Sequence, residues 1–182
     1  GTHDHEGART TGFTETLESG SKGSYSGGSV SLSSGSWYLN DALIGTLSND
    51  RKFGSKSARI RNSGYAMMTF NMDNGASTVK VRHAKYGSDG NSSWRLIASY
   101  NNGGNWYYVG STVNTTSTSL NTVTFNVNET RAVRYAIYKT GGGSNRINID
   151  NLEISTSGSS GGGVSGTAAR DSNLTFGNPS NA

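Results

Sequence analysis

The histidines, cysteines and acidic residues decide whether this chain could carry catalysis. The sequence has three histidines and no cysteine, and the missing thiols exclude thiol catalysis and cysteine-ligated zinc. His83 alternates with Val79 and Val81, so we expect it to be a core residue on the apolar side of a strand. The acidic residues are scattered, without the paired spacing typical of a glycoside hydrolase. The sequence therefore predicts that this chain is not an enzyme.

Cationic residues alternate with apolar residues in several short segments. In residues 79–82, two valines would face one side of a strand, with Lys80 and Arg82 on the other. If such segments share one sheet, their cations form a basic stripe that could bind nucleic-acid phosphates, and the net charge of +4 permits this. Solvated strand faces that prevent edge aggregation are the alternative. The predicted stripe comprises Arg59, Arg61, Lys80, Arg82, Arg95 and Arg134.

Three aromatic residues, Tyr86, Trp94 and Tyr138, are candidates for stacking on a sugar ring or a nucleobase. The core of a β-sandwich also needs large aromatic side chains, so a structural role is the competing interpretation. The predicted ligand is either nucleic acid, bound through the basic stripe, or a surface glycan, bound through aromatics. A spacer domain without a ligand is the alternative function.

Two carboxylates near opposite ends of the chain could share a metal ion. Glu18 ends the first predicted strand, and Asp150 lies in the last one. Jelly rolls often bring these ends side by side, and calcium accepts carboxylates together with backbone carbonyls. We therefore consider a structural calcium site at Glu18 and Asp150. The alternative is a hydrogen-bonded lock between the terminal strands, in which Asp150 accepts backbone amides.

Period-two alternation of apolar and polar residues recurs in short segments from residue 13 onward. Hydrophobic residues make up 31% of the chain and aromatics 9%, which favours thin, half-buried strands over disorder. No segment carries apolar residues at helical spacing. The predicted fold is therefore all-β, a β-sandwich or jelly roll of about ten antiparallel strands with a flexible Gly/Ser tail. The predicted strands are residues 13–18, 36–39, 58–61, 65–72, 78–86, 94–100, 106–113, 120–127, 133–139 and 146–154.

Residues 99–106 have the Ser-x-Asn-x-Gly-x-x-Trp spacing of the Asp-box, a hairpin motif of β proteins. In this motif an Asx side chain closes the turn by bonding the backbone, and the glycine takes the left-handed conformation. The tryptophan, here Trp106, packs beneath the turn. We expect this segment to serve folding and not catalysis.

The composition changes after residue 155 and divides the chain into segments. Residues 1–12 are polar and without periodicity, so we expect them to be flexible. Residues 13–155 are the predicted sandwich, and residues 156–169 are a Gly/Ser linker. Residues 170–182 regain apolar residues, as the start of a truncated second domain would. No apolar run approaches the ~18 residues of a membrane span, and we expect a secreted or cell-surface monomer.

Four segments resemble the accessory β-sandwich modules of secreted Bacteroidetes proteins. They are residues 15–25 (ETLESGSKGSY), 36–45 (SWYLNDALIG), 83–87 (HAKYG) and 146–152 (RINIDNL). The resemblance covers residues 13–155 and implies a galactose-binding-like or carbohydrate-binding-like jelly roll. It implies binding without catalysis and does not name the ligand.

Residues 170–182 (RDSNLTFGNPSNA) resemble the opening strand and turn of DNA/RNA non-specific endonucleases. Those enzymes use a ββα-metal fold with an Asp-Arg-Gly-His motif, a Mg²⁺-binding Asn and a histidine base. None of these residues follows in this sequence. The resemblance implies that the parent protein is a secreted nuclease and that this chain is its non-catalytic binding or targeting module.

Overall fold

Ten β-strands make up the regular structure of residues 8–156. The computed structural model describes these residues and, near the C-terminus, residues 173–174. These residues contain no helix, so the predicted all-β fold is confirmed, and no helix of the described part could cross a membrane. The strands are β1 Phe13–Glu15, β2 Gly28–Leu32, β3 Gly35–Gly45, β4 Ser57–Met68, β5 Ala76–Lys85, β6 Ser92–Ser99, β7 Trp106–Thr115, β8 Asn121–Glu129, β9 Arg134–Gly141 and β10 Ile147–Ser155.

The strands form two antiparallel layers that share β3 and β4. The first layer has the order β8-β5-β10-β4-β3, and β1 also pairs with β10. The second layer has the order β7-β6-β9-β4-β3-β2. Strand β4 serves both layers because its residues 58–60 pair with β10 and its residues 65–67 pair with β9. Two packed layers of this kind are a β-sandwich.

The two shared strands change layers at Asp41 on β3 and at Asn62 and Gly64 on β4. Asp41 and Asn62 have φ values of 50° and 52°, and the pairing register shifts between Asn40 and Ala42. Gly64 approaches β3 closely, since a Cβ atom there would lie 2.5 Å from the carbonyl oxygen of Asp41. Glycine lets the strands bend from one layer to the other without a turn.

Apolar side chains of both layers meet in one core. Along β5, Val79 and Val81 are fully buried, and alternation directs Lys80 outward. Trp94 and Leu96 enter the same core from β6 in the other layer. Burying one large apolar side chain stabilises the fold by about 1.5–3 kcal/mol, so this core holds the two layers together.

Strand β2 and the continuity of β4 were not predicted. β2 is the segment Gly-Ser-Val-Ser-Leu, whose two apolar residues among serines give little alternation signal. Residues 58–61 and 65–72 were predicted as two strands because Asn-Ser-Gly at 62–64 is typical of a turn. In the structure these residues mark the layer crossing, so the separation into two strands is wrong.

Regular structure begins before the predicted boundary at residue 13. The amide of Arg9 donates to the carbonyl of Asn71 at 2.9 Å, and the amide of Asp73 donates to the carbonyl of Arg9 at 2.7 Å. The flexible segment predicted for residues 1–12 is therefore too long, and its first seven residues lie outside the described part.

The predicted linker and second domain lie outside the described residues, apart from residue 156 and residues 173–174. Asn173–Leu174 form a short strand, β11, whose backbone pairs with Tyr107 and Trp106 at the edge of β7. The predictions for residues 156–169 and 170–182 stay predictions.

The turn at residues 99–106 has the predicted Asp-box geometry. The hydroxyl of Ser99 accepts the Gly103 amide at 2.8 Å, and Oδ1 of Asn101 accepts the Asn105 amide at 2.8 Å. Gly103 has a φ of 90°, and the indole N–H of Trp106 donates to its carbonyl at 3.1 Å. Trp106 is buried against the outer surface of the second layer and not between the layers.

Candidate functional site

The six predicted cations do not lie on one layer of the sandwich. Each follows or precedes core residues on its strand, so its side chain points away from the core. Arg59, Lys80 and Arg82 lie on the outer surface of the first layer, whereas Arg95 and Arg134 lie on the outer surface of the second. The predicted basic stripe is therefore wrong, because its members face opposite sides of the sandwich.

Two of these cations are buried and engaged. Arg59 is 8% exposed and forms two hydrogen bonds with Asp50, at 2.9 and 2.8 Å. Arg134 is 7% exposed and donates to Asn71 at 2.8 Å, and burial lowers its pKa to about 10. Both guanidinium groups are largely buried and hydrogen-bonded, which indicates a structural role.

The other cations of the predicted stripe are partly exposed. Nη1 of Arg82 donates to Asn151 at 2.7 Å, and Lys80 pairs in register with Glu153. Arg95 donates to the carbonyl of Gly110 at 2.8 Å and stacks on Tyr108 on the opposite side of the sandwich. The first layer thus presents only Lys80 and Arg82 as an adjacent exposed pair from the predicted set.

Two predicted stacking residues are also buried. Trp94 has no exposed surface, and its indole N–H donates to Thr115 at 3.1 Å inside the core. Tyr86 is 7% exposed because the guanidinium groups of Arg59 and Arg146 lie 4.5 and 4.4 Å from its ring centre. The prediction that Trp94 and Tyr86 stack on a ligand is therefore wrong.

A cavity of about 270 Å³ opens at the end of the sandwich, beside the layer crossing of β4. We call it the end pocket. It brings together an aromatic ring, two guanidinium groups, an amide and a hydroxyl from three separate parts of the chain. Its lining residues are Tyr25, Arg61, Asn62, Ser144 and Arg146.

Ion pairs fix the two arginines of the end pocket. Arg61 donates from Nε to Asp41 at 3.0 Å, and its guanidinium lies 3.8 Å from the ring centre of Tyr25. Arg146 forms two hydrogen bonds with Asp89, at 2.8 and 2.9 Å. These bonds from Arg146 hold the pKa of Asp89 below its usual value, even though burial opposes the shift.

A buried lysine holds the backbone of the pocket. The ammonium of Lys139 donates to the carbonyls of Asn62, Gly141 and Gly143 at 3.2, 3.0 and 2.7 Å. The Asn62 amide in turn donates to the carbonyl of Gly143 at 3.1 Å. Burial lowers the pKa of Lys139, and the nearby Asp89 partly opposes this. The lysine thereby ties the crossing of β4 to the turn that carries Ser144.

Sequence reasoning identified Arg61 as part of a site but missed the rest of the end pocket. Tyr25 and Ser144 lie in irregular segments, where alternation gives no signal. Arg146 alternates with Ile147 in the sequence, which predicts an outward cation, but this pattern alone did not place Arg146 in the predicted site. No sequence pattern brings the three segments together.

A second aromatic surface covers the outer side of the second layer. Met67, Ile97 and Ala136 form its fully buried floor. Tyrosines from four strands of this layer surround this floor, and we call the surface the tyrosine face. They are Tyr38, Tyr65, Tyr108 and Tyr138. Tyr138 is half-buried there, and burial together with the nearby Tyr108 raises its pKa.

Glu18 and Asp150 converge on one loop, residues 53–56. Glu18 accepts hydrogen bonds from the backbone amides of Ser55 and Lys56. Asp150 accepts a hydrogen bond from the backbone amide of Phe53 at 2.8 Å. Burial, with a smaller contribution from the charge of Glu18, raises the pKa of Asp150 to about 6. Asp150 thus accepts a backbone amide, as in the alternative to calcium, but the amide belongs to the loop 53–56 and not to the other terminal strand.

Glu18 and Asp150 supply only part of the ligands that a calcium ion needs. Glu18 and Asp150 supply two carboxylates, and the described residues contain no group of three His, Cys, Asp or Glu side chains that could hold a metal ion. A calcium ion prefers six to eight oxygen ligands, so backbone carbonyls would have to complete the site. A calcium site at Glu18 and Asp150 stays a prediction.

His83 is a core residue, as predicted. It is 7% exposed, its Nδ1 lies 2.8 Å from the hydroxyl of Thr115, and its ring meets the ring of Trp94 edge-on. Burial lowers its pKa, which favours the neutral imidazole. A neutral, enclosed histidine of this kind is a packing residue.

The fold is similar to those of several solved binding domains. The K2 cleaved adhesin domain of Lys-gingipain aligns with a TM-score of 0.56 and 15% identity, over 80% of this chain and 99% of that domain. The K1 domain of Lys-gingipain from Porphyromonas gingivalis W83 gives 0.55 and 12%, over 80% and 98%. The C-terminal family 22 carbohydrate-binding module of Clostridium thermocellum Xyn10B gives 0.54 and 12%, over 84% and 98%.

No family model and no curated protein matches this sequence. At 12–15% identity, the likeness to the solved domains establishes a common β-sandwich fold and carries no residue-level correspondence.

Proposed function

We propose that this chain is a non-catalytic carbohydrate-binding module and that the end pocket is its glycan site. The observation that carries the proposal is the pocket itself, where Tyr25, two guanidinium groups, an amide and a hydroxyl meet around about 270 Å³. Binding sites for small ligands combine apolar surface with a few fixed polar groups, and this arrangement has both.

The size and rigidity of the pocket suit a short piece of glycan. Its volume lies just below the ~300–1,000 Å³ typical of pockets for drug-sized molecules, which is appropriate for a short segment of glycan. Lys139 and the Arg–Asp pairs fix the lining residues before any ligand arrives. Preorganisation of this kind lowers the entropy cost of binding.

The fold comparison supports the same function. A xylan-binding domain of family 22 shares the fold with a TM-score of 0.53 and 13% identity, as does the family 22 module of Xyn10B. A β-sandwich that presents a preformed pocket at one end is a suitable scaffold for glycan binding without catalysis. We therefore favour a glycan over the two alternatives.

Nucleic acid and a spacer role are the alternatives. The split of the cations between two outer surfaces disfavours a nucleic-acid ligand. A spacer needs no preformed pocket. Attachment to a nuclease domain and an extracellular location are proposals that rest on the resemblance of residues 170–182 and 13–155, respectively.

Electrophoresis of the full chain through gels that contain single polysaccharides tests the proposal. We expect retarded migration on at least one neutral or acidic polysaccharide and loss of the retardation in Tyr25→Ala. Tyr108→Ala, on the tyrosine face, is the matched control and should migrate like the wild type. No polysaccharide should be cleaved during the run.

Loss of retardation in Tyr108→Ala, with retention in Tyr25→Ala, would move the glycan site to the tyrosine face. Migration unaffected by every polysaccharide would leave the spacer role. Release of reducing ends from a polysaccharide would contradict a non-catalytic module.

A further inference from the structure

Two arginines keep exposed donor groups at the end pocket. The side chains of Arg61 and Arg146 remain 41% and 36% exposed although each is paired with a carboxylate. Arg61 uses only Nε for Asp41, and its two Nη groups form no hydrogen bond with any described residue. One edge of a guanidinium offers two parallel N–H donors, which match the two oxygens of a carboxylate.

A third positive charge lies beneath the pocket. Lys139 is completely buried, and its ammonium is bound by three neutral carbonyls. Within the described residues it has no carboxylate at salt-bridge distance. A buried charge is screened far less than an exposed one, so Lys139 contributes a positive potential to the pocket.

The charges around the pocket leave an excess of positive charge. The cations include Arg59, Arg61, Lys139 and Arg146, with Lys22 beside them on the carbonyl of Ala42, and the carboxylates are Asp41, Asp50 and Asp89. A negatively charged ligand would reduce this excess.

The pocket also has groups for sugar hydroxyls. The amide of Asn62 and the hydroxyls of Tyr25 and Ser144 can each donate and accept hydrogen bonds. A free carboxylate ion would leave these groups to water, whereas the hydroxyls of a sugar ring would pair with them.

We propose that the end pocket recognises a sugar that carries a carboxylate, such as a hexuronic acid, and that Arg61 and Arg146 bind this carboxylate. This inference rests on the proposed glycan-binding function and narrows its ligand class. Specificity would come from an acid group that neutral glycans lack, since unpaired donors in the pocket would disfavour a neutral sugar.

Calorimetric titration of the full chain with uronate oligomers and their methyl esters tests this proposal. The probes are oligomers of galacturonate, glucuronate and mannuronate. Each is compared with its methyl ester, because the ester keeps the sugar ring and removes the charge. We expect at least one acid to bind at least tenfold more tightly than its ester. Acetate and inorganic phosphate serve as free anions and should bind at least tenfold more weakly than that acid.

Substitutions at Arg61 test whether this arginine causes the preference for the acid over the ester. Arg61→Gln should weaken binding of the acid at least tenfold and change binding of the ester less than threefold. Arg131→Gln is the matched control, because Arg131 also pairs with a carboxylate and stacks on a tyrosine, Tyr100. Arg131 lies before the first residue of β9, whereas the pocket lies beyond the last residue of that strand. If Arg61→Gln lowers the melting temperature, Arg61→Lys takes its place in the comparison of acid with ester, because lysine keeps the charge.

Each other outcome overturns the inference in a distinguishable way. Equal affinity for acid and ester overturns acid recognition and leaves the glycan-binding function intact. Acetate or phosphate binding as tightly as the best acid reduces the pocket to an anion site. Equal losses in Arg61→Gln and Arg131→Gln indicate unspecific attraction between charges. No binding of any uronate overturns the inference, and retardation by neutral polysaccharides then decides whether the proposed function survives.

Discussion

At the residue scale, the sequence identified which side chains are charged but not what they contact. Alternation along β4 correctly directs Arg59 away from the core, yet Asp50 and Tyr86 enclose it there. Arg146 pairs with Asp89, which lies 57 residues away in the chain. Period-two patterns report the direction of a side chain and carry no information on partners from other strands. Functional residues were therefore the least predictable part of this protein.

His83 should make stability depend on pH. Its pKa in the folded state is lowered by burial, so its contribution to stability is complete above the unfolded value of about 6.5. That contribution is lost as the pH falls through the lower folded pKa. We expect the wild type to lose stability relative to His83→Gln between pH 7.5 and pH 5, as measured by urea unfolding.

The comparison with His83→Gln isolates this effect. Asp150, whose pKa is raised to about 6, titrates in the same range with the opposite sign, and it is present in both proteins. A constant difference in unfolding free energy between wild type and His83→Gln across this range would contradict a buried, neutral His83.

Calcium binding at Glu18 and Asp150 is a second residue-scale prediction. An ion that binds only the folded state stabilises it by ~2.7 kcal/mol at a hundredfold excess over its dissociation constant. For a domain of this size that raises the melting temperature by several degrees. Chelator should reverse the shift, and Asp150→Asn should abolish it, in differential scanning calorimetry.

Identical melting curves in calcium and in chelator would contradict the calcium site. Glu18 and Asp150 would then act only as hydrogen-bond acceptors that fasten residues 53–56.

At the element scale, the sequence predicted strands well where apolar and polar residues alternate strictly. Strands β5 to β10 lie within a few residues of their predicted bounds. The errors fall where local composition and tertiary structure disagree. Asn-Ser-Gly at residues 62–64 is typical of a turn, but pairing with β3 and β9 on either side keeps β4 continuous. Local propensity cannot report such long-range pairing.

Gly64→Ala should destabilise the layer crossing. A Cβ atom at residue 64 would lie 2.5 Å from the carbonyl oxygen of Asp41 and 2.6 Å from that of Asn40, so β3 and β4 would have to separate. Overpacking of this kind costs about 1–3 kcal/mol. Denaturant unfolding measures this loss.

Gly23→Ala is the matched control, because no atom lies within 4 Å of the corresponding Cβ position. It should change the unfolding free energy by less than ~0.5 kcal/mol. Equal stability of Gly64→Ala and Gly23→Ala would show that the crossing tolerates a side chain and that the close approach does not matter.

At the scale of the whole molecule, a sandwich divides a basic sequence into two outer surfaces. The sequence gives a net charge of +4, but charge counts alone do not say how cations are distributed. The class of fold was predictable because binary patterning decides it. The distribution of charge was not, since it depends on which strands share a layer, and β3 and β4 belong to both.

This distribution makes a specific prediction for DNA binding. Burial removes Arg59 and Arg134 from any DNA surface, and Arg95 faces away from Lys80 and Arg82. Arg61 lies apart from this pair, at the end pocket. We therefore expect only weak binding, in which Lys80 and Arg82 engage at most two phosphates. The slope of log affinity against log salt should then be no steeper than about −1.8, because each neutralised phosphate of duplex DNA contributes about −0.9.

Titration of labelled duplex DNA with the full chain at several salt concentrations measures this slope. Arg82→Glu should abolish the weak binding, whereas Arg95→Glu, on the opposite surface, should leave the slope unchanged. A slope near −3.6 that both variants flatten would mean that cations of both layers contact one DNA molecule. That result would contradict the two-sided arrangement and restore nucleic acid as the ligand, because four phosphates cannot be engaged by Lys80 and Arg82 alone.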